Sequence, residues 1–289
     1  MGLPMSIRLS KQNSVVAFDT NPHACEAASK SGMEIATSVS QIGRDCDVIF
    51  TMLPSCEAVD AVMADLSSST TSEKKKLIVD SSTVNPATSR RWHANWSEKG
   101  HALVDAPVSG GVKGAQDGTL AFMVGSQSEQ DFERAKPYLE QMGKRAISCG
   151  GPGSGTATKL CNNVALAAQM VGICEAMNLG EALGVEPVIL ADVMNVSTAK
   201  SWSCEVNNPH PSVAMAKGSP ASRDYEGGFA TRLMLKDLSL AIDSADETKV
   251  AVPVTVGCRE LYKMVDLHGM GGKDFGVMLR FLSGRKTKE

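Results

Sequence analysis

The sequence has no CxxC pair: its eight cysteines are scattered through 289 residues, without the density of a disulfide scaffold or the clustering of a zinc site. The five histidines, His23, His93, His101, His210 and His268, are equally dispersed. Neither disulfides nor a metal are therefore expected, and the thiols are read as reduced and mostly buried. That state suits the cytosol or a mitochondrial matrix. Excess charge of one sign is absent too, since the net charge is −3. Nucleic acid and an anionic membrane consequently have no electrostatic claim as partners. No long apolar run exists either. The longest, from Val164 to Cys174, contains Gln169 and is too short to span a bilayer, so it reads as a buried helix. The start shows no signal peptide or Arg-rich transit segment, and no internal repeat is evident.

What is present is ordinary globular material, 43% hydrophobic and 21% charged, long enough for two domains. The first half alternates short β-rich runs with helical patterns, which points to a parallel sheet built from βαβ units. Strands are expected at Val15 to Phe18, Val48 to Leu53, Leu77 to Val79, Ala102 to Val104 and Ala121 to Val124. Helices are expected at His23 to Ser31, Glu57 to Leu66, Pro86 to Lys99 and Ser128 to Met142. Between two of these, Ser67 to Lys76 has no apolar periodicity and reads as a solvated loop. Composition changes at the run Gly150-Gly151-Pro152-Gly153-Ser154-Gly155, after which a long helix, Thr158 to Leu183, opens a region without convincing strand pairs. The expected fold is an α/β Rossmann-like domain over 1–151, its first strand missing, followed by an all-α domain over 152–289.

Four short stretches carry chemistry. Asp19 ends a strand that follows a helix beginning near Gly2, the second half of a mononucleotide-binding unit. An acidic residue there, roughly 20 positions past a glycine fingerprint, accepts hydrogen bonds from ribose hydroxyls and repels a 2′-phosphate. The same aspartate also suits a plain turn cap. In Asp105-Ala106-Pro107-Val108-Ser109-Gly110-Gly111, the paired glycines let backbone N–H groups converge on an anion such as a carboxylate; a tight turn needing positive φ is the alternative. Lys159 and Asn163 stand four residues apart on one helical face. A lysine whose pKa is lowered by burial and neighbours can take the hydroxyl proton of an alcohol as hydride leaves carbon. Finally, Lys236-Asp237 lies in a helical run, Leu233 to Asp243, where a solvated pair is the simplest reading.

These stretches resemble the β-hydroxyacid dehydrogenase family over essentially the whole chain from Gly2 onward. Met1-Gly2-Leu3-Pro4-Met5 is similar to the tail of its GxGxxMGxPM fingerprint, DAPVSGG to its substrate-carboxylate loop, and GxGSGxxxKxxNN to its catalytic motif. More local text resembles the 3-hydroxyisobutyrate dehydrogenases: Ile173 to Gly180, Trp202-Ser203, Asn208-Pro209, Pro211, and Tyr225 to Phe229. The resemblance implies reversible oxidation of 3-hydroxyisobutyrate to methylmalonate semialdehyde with NAD, a step of valine breakdown. It makes Lys159 the general acid/base and Asn163 a positioning residue. Ser109, Gly110 and Gly111 hold the substrate carboxylate, and Lys236 reaches toward substrate and nicotinamide. Gly2, Asp19, Leu53, Pro54 and Thr83 line the NAD groove, and the loop at Gly228-Phe229 closes over a small branched acid, with the active site in the cleft between domains. A homodimer or homotetramer built on the helical domain is implied, mitochondrial in eukaryotes and cytoplasmic otherwise. The first two glycines of the fingerprint and the strand before them, central in a 3-2-1-4-5-6 sheet, are absent from the sequence. Two explanations stand: Met1 is an internal methionine of a longer protein, which the intact downstream motifs favour, or cofactor binding is crippled. Two rival functions remain, a sister reductase of tartronate, glyoxylate or succinate semialdehyde, and a catalytically silent oligomeric interaction protein.

Overall fold

The computed structural model describes residues 1–70 and 74–284, and at Ala216 and Lys217 the backbone alone. Two compact units divide the chain, Met1–Lys159 and Leu160–Glu289.

The first unit opens with α1 (Gly2–Leu9), β1 (Val16–Ala17), α2 (Pro22–Lys30), β2 (Glu34–Ile35) and α3 (Val39–Asp45). It continues through β3 (Val48–Thr51), α4 (Cys56–Ser69), β4 (Leu77–Asp80), α5 (Pro86–Glu98) and β5 (Ala102–Asp105). β6 (Val108–Ser109), α6 (Gly111–Asp117), β7 (Leu120–Ser126), α7 (Glu129–Met142) and β8 (Gly143–Gly150) complete it. The helix starts are written locally. Asn21, Ser38, Ser55, Asn85 and Ser128 each accept a backbone N–H of the following first turn, and Pro22 and Pro86 occupy the first turn, where no donor is needed.

β3, β4 and β5 run parallel in that order, with Thr51 beside Asp80 and Asp80 beside Asp105, so their carboxyl ends are level. β7 adds antiparallel to β5, β6 antiparallel to β7, and β8 parallel to β7. β1 and β2 form a separate parallel pair. The strands alternate between two cores with period two. Leu77, Val79, Ala102 and Val104 pack with Phe122, Val124, Leu139 and Met142 on one face. Ile49, Ile78 and Leu103 pack with Val59, Met63, Leu66 and Trp96 on the other. Each buried Val, Leu, Ile, Phe or Met side chain among these contributes about 1.5–3 kcal/mol of transfer free energy.

Several sequence expectations change. Ser67 to Ser69 continue α4, and Lys76 is buried, its Nζ donating to the carbonyls of Arg44 (3.1 Å) and Cys46 (2.7 Å); residues 71–73 of the expected loop lie outside the described residues. Only Cys174, Cys204 and Cys258 are buried, while Cys161 is exposed, so the thiols are not mostly interior. β2, α3, β6, α6 and β8 were not anticipated.

A 29-residue helix, α8 (Ser154–Ala182), leaves the first unit and enters the second. By length and composition alone it could cross a membrane. Its apolar content has another use: Ala167, Met170, Cys174 and Met177 form a fully buried stripe at alternating three- and four-residue spacing. Around this stripe pack α9 (Pro187–Val196), α10 (Trp202–Glu205), α11 (Pro211–Lys217), α12 (Thr231–Thr248), α13 (Pro253–Val265) and α14 (Met278–Ser283). The core includes Tyr225, Met234, Leu238, Tyr262 and Phe275.

Candidate active site

In open parallel sheets ligands collect at the carboxyl ends of the strands. There Asp80 holds the edge together. Its Oδ1 accepts the Thr51 hydroxyl at 2.8 Å and the Ser82 N–H at 3.0 Å, and the Ser82 hydroxyl in turn accepts the Leu53 N–H at 2.9 Å. Burial pushes the Asp80 carboxyl up, against the hydrogen bonds from Ser82 and Thr51, and the charge of Asp105 adds to the rise. This lattice sets the loops that carry Leu53, Pro54 and Thr83. Leu53 and Thr83 are half-buried and Pro54 is exposed. Asp19 lies exposed beyond β1, where one carboxylate oxygen accepts the Asn21 N–H at 2.8 Å. The aspartate therefore caps its turn and still presents a charge to solvent. Gly2 opens α1 and is exposed; a Cβ there would lie 3.9 Å from that of Met52, an ordinary contact.

Ser109 ends β6, Gly110 turns the chain and Gly111 opens α6. Gly110 has φ of +133° and Gly111 of +63°, conformations that L side chains rarely adopt. The glycine pair thus meets the geometric demand of a turn, and both residues are exposed. α6, which continues the loop, is fastened to α1 by the Arg8 guanidinium, whose Nε donates to the Gln116 carbonyl at 2.9 Å.

Asp105, two residues before Pro107, heads this motif in the sequence; in the structure it is 2% exposed and carries a network. Its Oδ1 accepts His93 Nε2 at 2.8 Å and the Gly153 N–H at 2.9 Å. Its Oδ2 accepts both the N–H and the hydroxyl of Thr156, each at 2.9 Å. Burial would raise this carboxyl; the hydrogen bond and charge of His93, with the backbone donors of Thr156 and Gly153, outweigh it and hold the pKa below its ordinary value. The first turn of α8 is thereby pinned to the end of β5. Lys159 is 8% exposed, one turn beyond Thr156.

Asn163, 1% exposed, follows Lys159 by one further turn of α8, and its Nδ2 donates to Asp237 Oδ2 at 2.6 Å. Asp237 is buried, whereas Lys236 keeps 27% of its side chain exposed and pairs with Asp237 Oδ1 at 3.3 Å. The Lys236-Asp237 pair is therefore half-interior, and its acidic member orients Asn163. The single signal for this in the sequence was the position of Asp237 on the apolar face of α12, beside Leu238 and Met234. In the same unit, Asp274 Oδ2 accepts the Phe229 N–H at 2.9 Å, its Oδ1 accepts the Gly276 N–H at 2.9 Å, and Asn207 donates to it at 3.2 Å. Asp274 thus anchors the loop at Gly228-Phe229, and Gly228, at φ +72°, leaves no room for a side chain against that carboxylate. Among the described residues no group of His, Cys, Asp and Glu is placed to hold a metal.

The mixed sheet with level carboxyl ends, the helix-borne buried lysine and the glycine-paired turn occur in a chain whose two halves match nucleotide-binding families, which defines its class, the NAD(P)-dependent oxidoreductases. Residues 1–151 match the family described as the NAD binding domain of 6-phosphogluconate dehydrogenase, and residues 153–282 that described as NAD-binding of NADP-dependent 3-hydroxyisobutyrate dehydrogenase. A probable mitochondrial 3-hydroxyisobutyrate dehydrogenase of Dictyostelium discoideum is 41% identical over 287 residues, covering 98% of this chain and 88% of the relative. The mitochondrial 3-hydroxyisobutyrate dehydrogenase of Homo sapiens is 39% identical, covering 99% and 85%. Among solved structures, the Mycobacterium tuberculosis 3-hydroxyisobutyrate dehydrogenase with L-serine superposes with a TM-score of 0.92 at 37% identity, over 98% of this chain and 95% of that one. The chain belongs to the 3-hydroxyisobutyrate dehydrogenase family.

Proposed function

We propose that this protein oxidises 3-hydroxyisobutyrate to methylmalonate semialdehyde with NAD, Lys159 serving as general acid/base. Family membership over nearly the whole chain carries the reading, and the buried Lys159, one helical turn from Asn163, supports it. The strand edge fits a dinucleotide: Asp19 offers a carboxylate for ribose hydroxyls, Leu53 and Pro54 an apolar wall, and Thr83 a hydroxyl. None of these residues is a cation that would bind a 2′-phosphate, which favours NAD over NADP. Bound NAD supplies the hydride acceptor. Ser109 and the N–H groups of Gly110 and Gly111 hold the substrate carboxylate, and Lys159 Nζ removes the proton from the hydroxyl as the carbonyl forms. Asn163, held by Asp237, orients the reacting groups, and Lys236 contacts substrate and cofactor.

In this reading residues 1–151 bind the nucleotide and residues 152–289 serve substrate binding and assembly. A homodimer or homotetramer is supported by exposed apolar side chains on α8 and α9, among them Leu179, Ile189, Val193 and Val196. The relatives named mitochondrial support a matrix location in a eukaryotic source.

The test is NADH formation from NAD and 3-hydroxyisobutyrate, with Lys159→Ala alongside. Loss of the general base is expected to lower kcat by about 100-fold or more. Appreciable turnover by Lys159→Ala refutes the mechanism; turnover with tartronate or succinate semialdehyde and NADPH in preference refutes the substrate.

A further inference from the structure

We propose that Asp105, backed by His93, is a positioning residue that sets where Lys159 sits, by clamping the first turn of α8 through Gly153 and Thr156. This deepens the proposed function and rests on its assignment of Lys159.

The clamp joins α5, β5, β7 and the start of α8 with the turn before it. An ionised carboxylate has about four acceptor positions, and here four donors fill them: His93 Nε2, the Gly153 N–H, and the N–H and hydroxyl of Thr156. Because Asp105 only accepts, His93 must carry a proton on Nε2. No capacity is left for Asp105 to act on a substrate itself. The recess around it is kept narrow on purpose by two glycines. A Cβ at Gly125 would lie 2.7 Å from Asp105 Oδ2, and one at Gly155 would lie 2.7 Å from the Asp105 carbonyl oxygen and 2.9 Å from Oδ2. Their absence lets α8 rest directly against β5 and β7.

Leverage links this contact to Lys159. Thr156 and Lys159 share the buried face of α8 at a spacing of three residues, so fixing Thr156 fixes both the axial position and the roll of the lysine. A side chain on a helix reaches about 5–6 Å from the axis, so a roll of about 10° moves its end by roughly 1 Å. A misplacement of about 1 Å at a reacting group costs up to about 100-fold in rate. Asp105 also ends the strand that leads to Ser109, Gly110 and Gly111. One carboxylate therefore registers the proton-transferring helix against the loop that holds the substrate carboxylate.

The test compares Thr156→Val, which removes the hydroxyl donor, with Thr156→Ser, which keeps it, and with Asp105→Asn, all in the full chain beside Lys159→Ala. Readouts are kcat, KM and their pH profiles, the melting temperature, and the carbon NMR resonance of reductively methylated Lys159 against pH, which needs no turnover. Thr156→Val is expected to lower kcat about 10- to 100-fold with KM within about threefold, and to shift the Lys159 titration; Thr156→Ser restores both. Should Asp105→Asn fail to fold, the two Thr156 variants decide. The clamp is overturned if Thr156→Val keeps wild-type kcat, pH profile and Lys159 titration, or if Thr156→Ser does not restore them. With Lys159→Ala inactive, that outcome removes the clamp alone; with Lys159→Ala active, the proposed function falls as well.

Discussion

Gly155→Ala is the smallest change that should force α8 off the sheet. An added Cβ would press on the Met123 carbonyl oxygen and lie 2.7 and 2.9 Å from the carbonyl and carboxylate oxygens of Asp105. Backbone on both sides prevents a local rotamer escape, so relief requires the start of α8 to lift by roughly 1 Å, the gap between such contacts and ordinary packing near 3.5 Å. The Thr156 N–H and hydroxyl, both 2.9 Å from Asp105, then move beyond hydrogen-bonding distance. Losing two bonds to a charged acceptor costs about 3–6 kcal/mol, and residual overpacking adds about 1–3 kcal/mol. Against a typical stability of about 5–15 kcal/mol, that is a large share. Urea unfolding followed by fluorescence suits the measurement, since Trp96 is fully buried in the first unit. With a slope of about 3 kcal/mol per M, a loss of about 4 kcal/mol lowers the midpoint by more than about 1 M. Gly151→Ala is the matched control: nothing lies within 4 Å of a Cβ there, and little change is expected. If Gly155→Ala unfolds within about 0.3 M of wild type, the close-approach argument is wrong.

Asp105 has a depressed pKa in the folded protein, so its stabilising contribution is complete above the unfolded value of about 3.9 and is lost as pH falls through the folded value. The stability gap between wild type and Asp105→Asn should therefore be wide at neutral pH and narrow in acid; a gap that widens on acidification contradicts the assignment. Gly257 lies exposed within α13 with nothing within 4 Å of its missing Cβ, so Gly257→Ala should gain up to about 1 kcal/mol in thermal or urea unfolding. Destabilisation instead would show that the site is covered. Asp19→Ser should shift the ratio of NADP to NAD utilisation upward by about tenfold or more through loss of repulsion of the 2′-phosphate. An unchanged ratio removes Asp19 from cofactor choice.

The sequence by itself determined the elements whose signals are local. β-branched runs ending at Asp80 and Asp105 mark strands because a buried parallel strand is apolar on both faces, and Asn21, Ser55 and Ser128 start helices because their side chains satisfy the first-turn N–H groups. Lys159 and Asn163 were placed on one face by helical period alone. What lay outside its reach depends on distant partners. β8 has the burial pattern of an exposed edge, and its pairing with β7 is a backbone matter that no apolar alternation records. Of the three consecutive lysines 74 to 76, it is the Arg44 and Cys46 carbonyls that choose Lys76 for burial. The partners of Asp105 come from positions 12, 48 and 51 residues away, and Asp237 meets Asn163 across 74. A buried carboxylate is tolerable only where donors converge on it, and that convergence exists only after the sheet and helices have packed. Tertiary structure alone therefore made Asp105 more than the first letter of a motif.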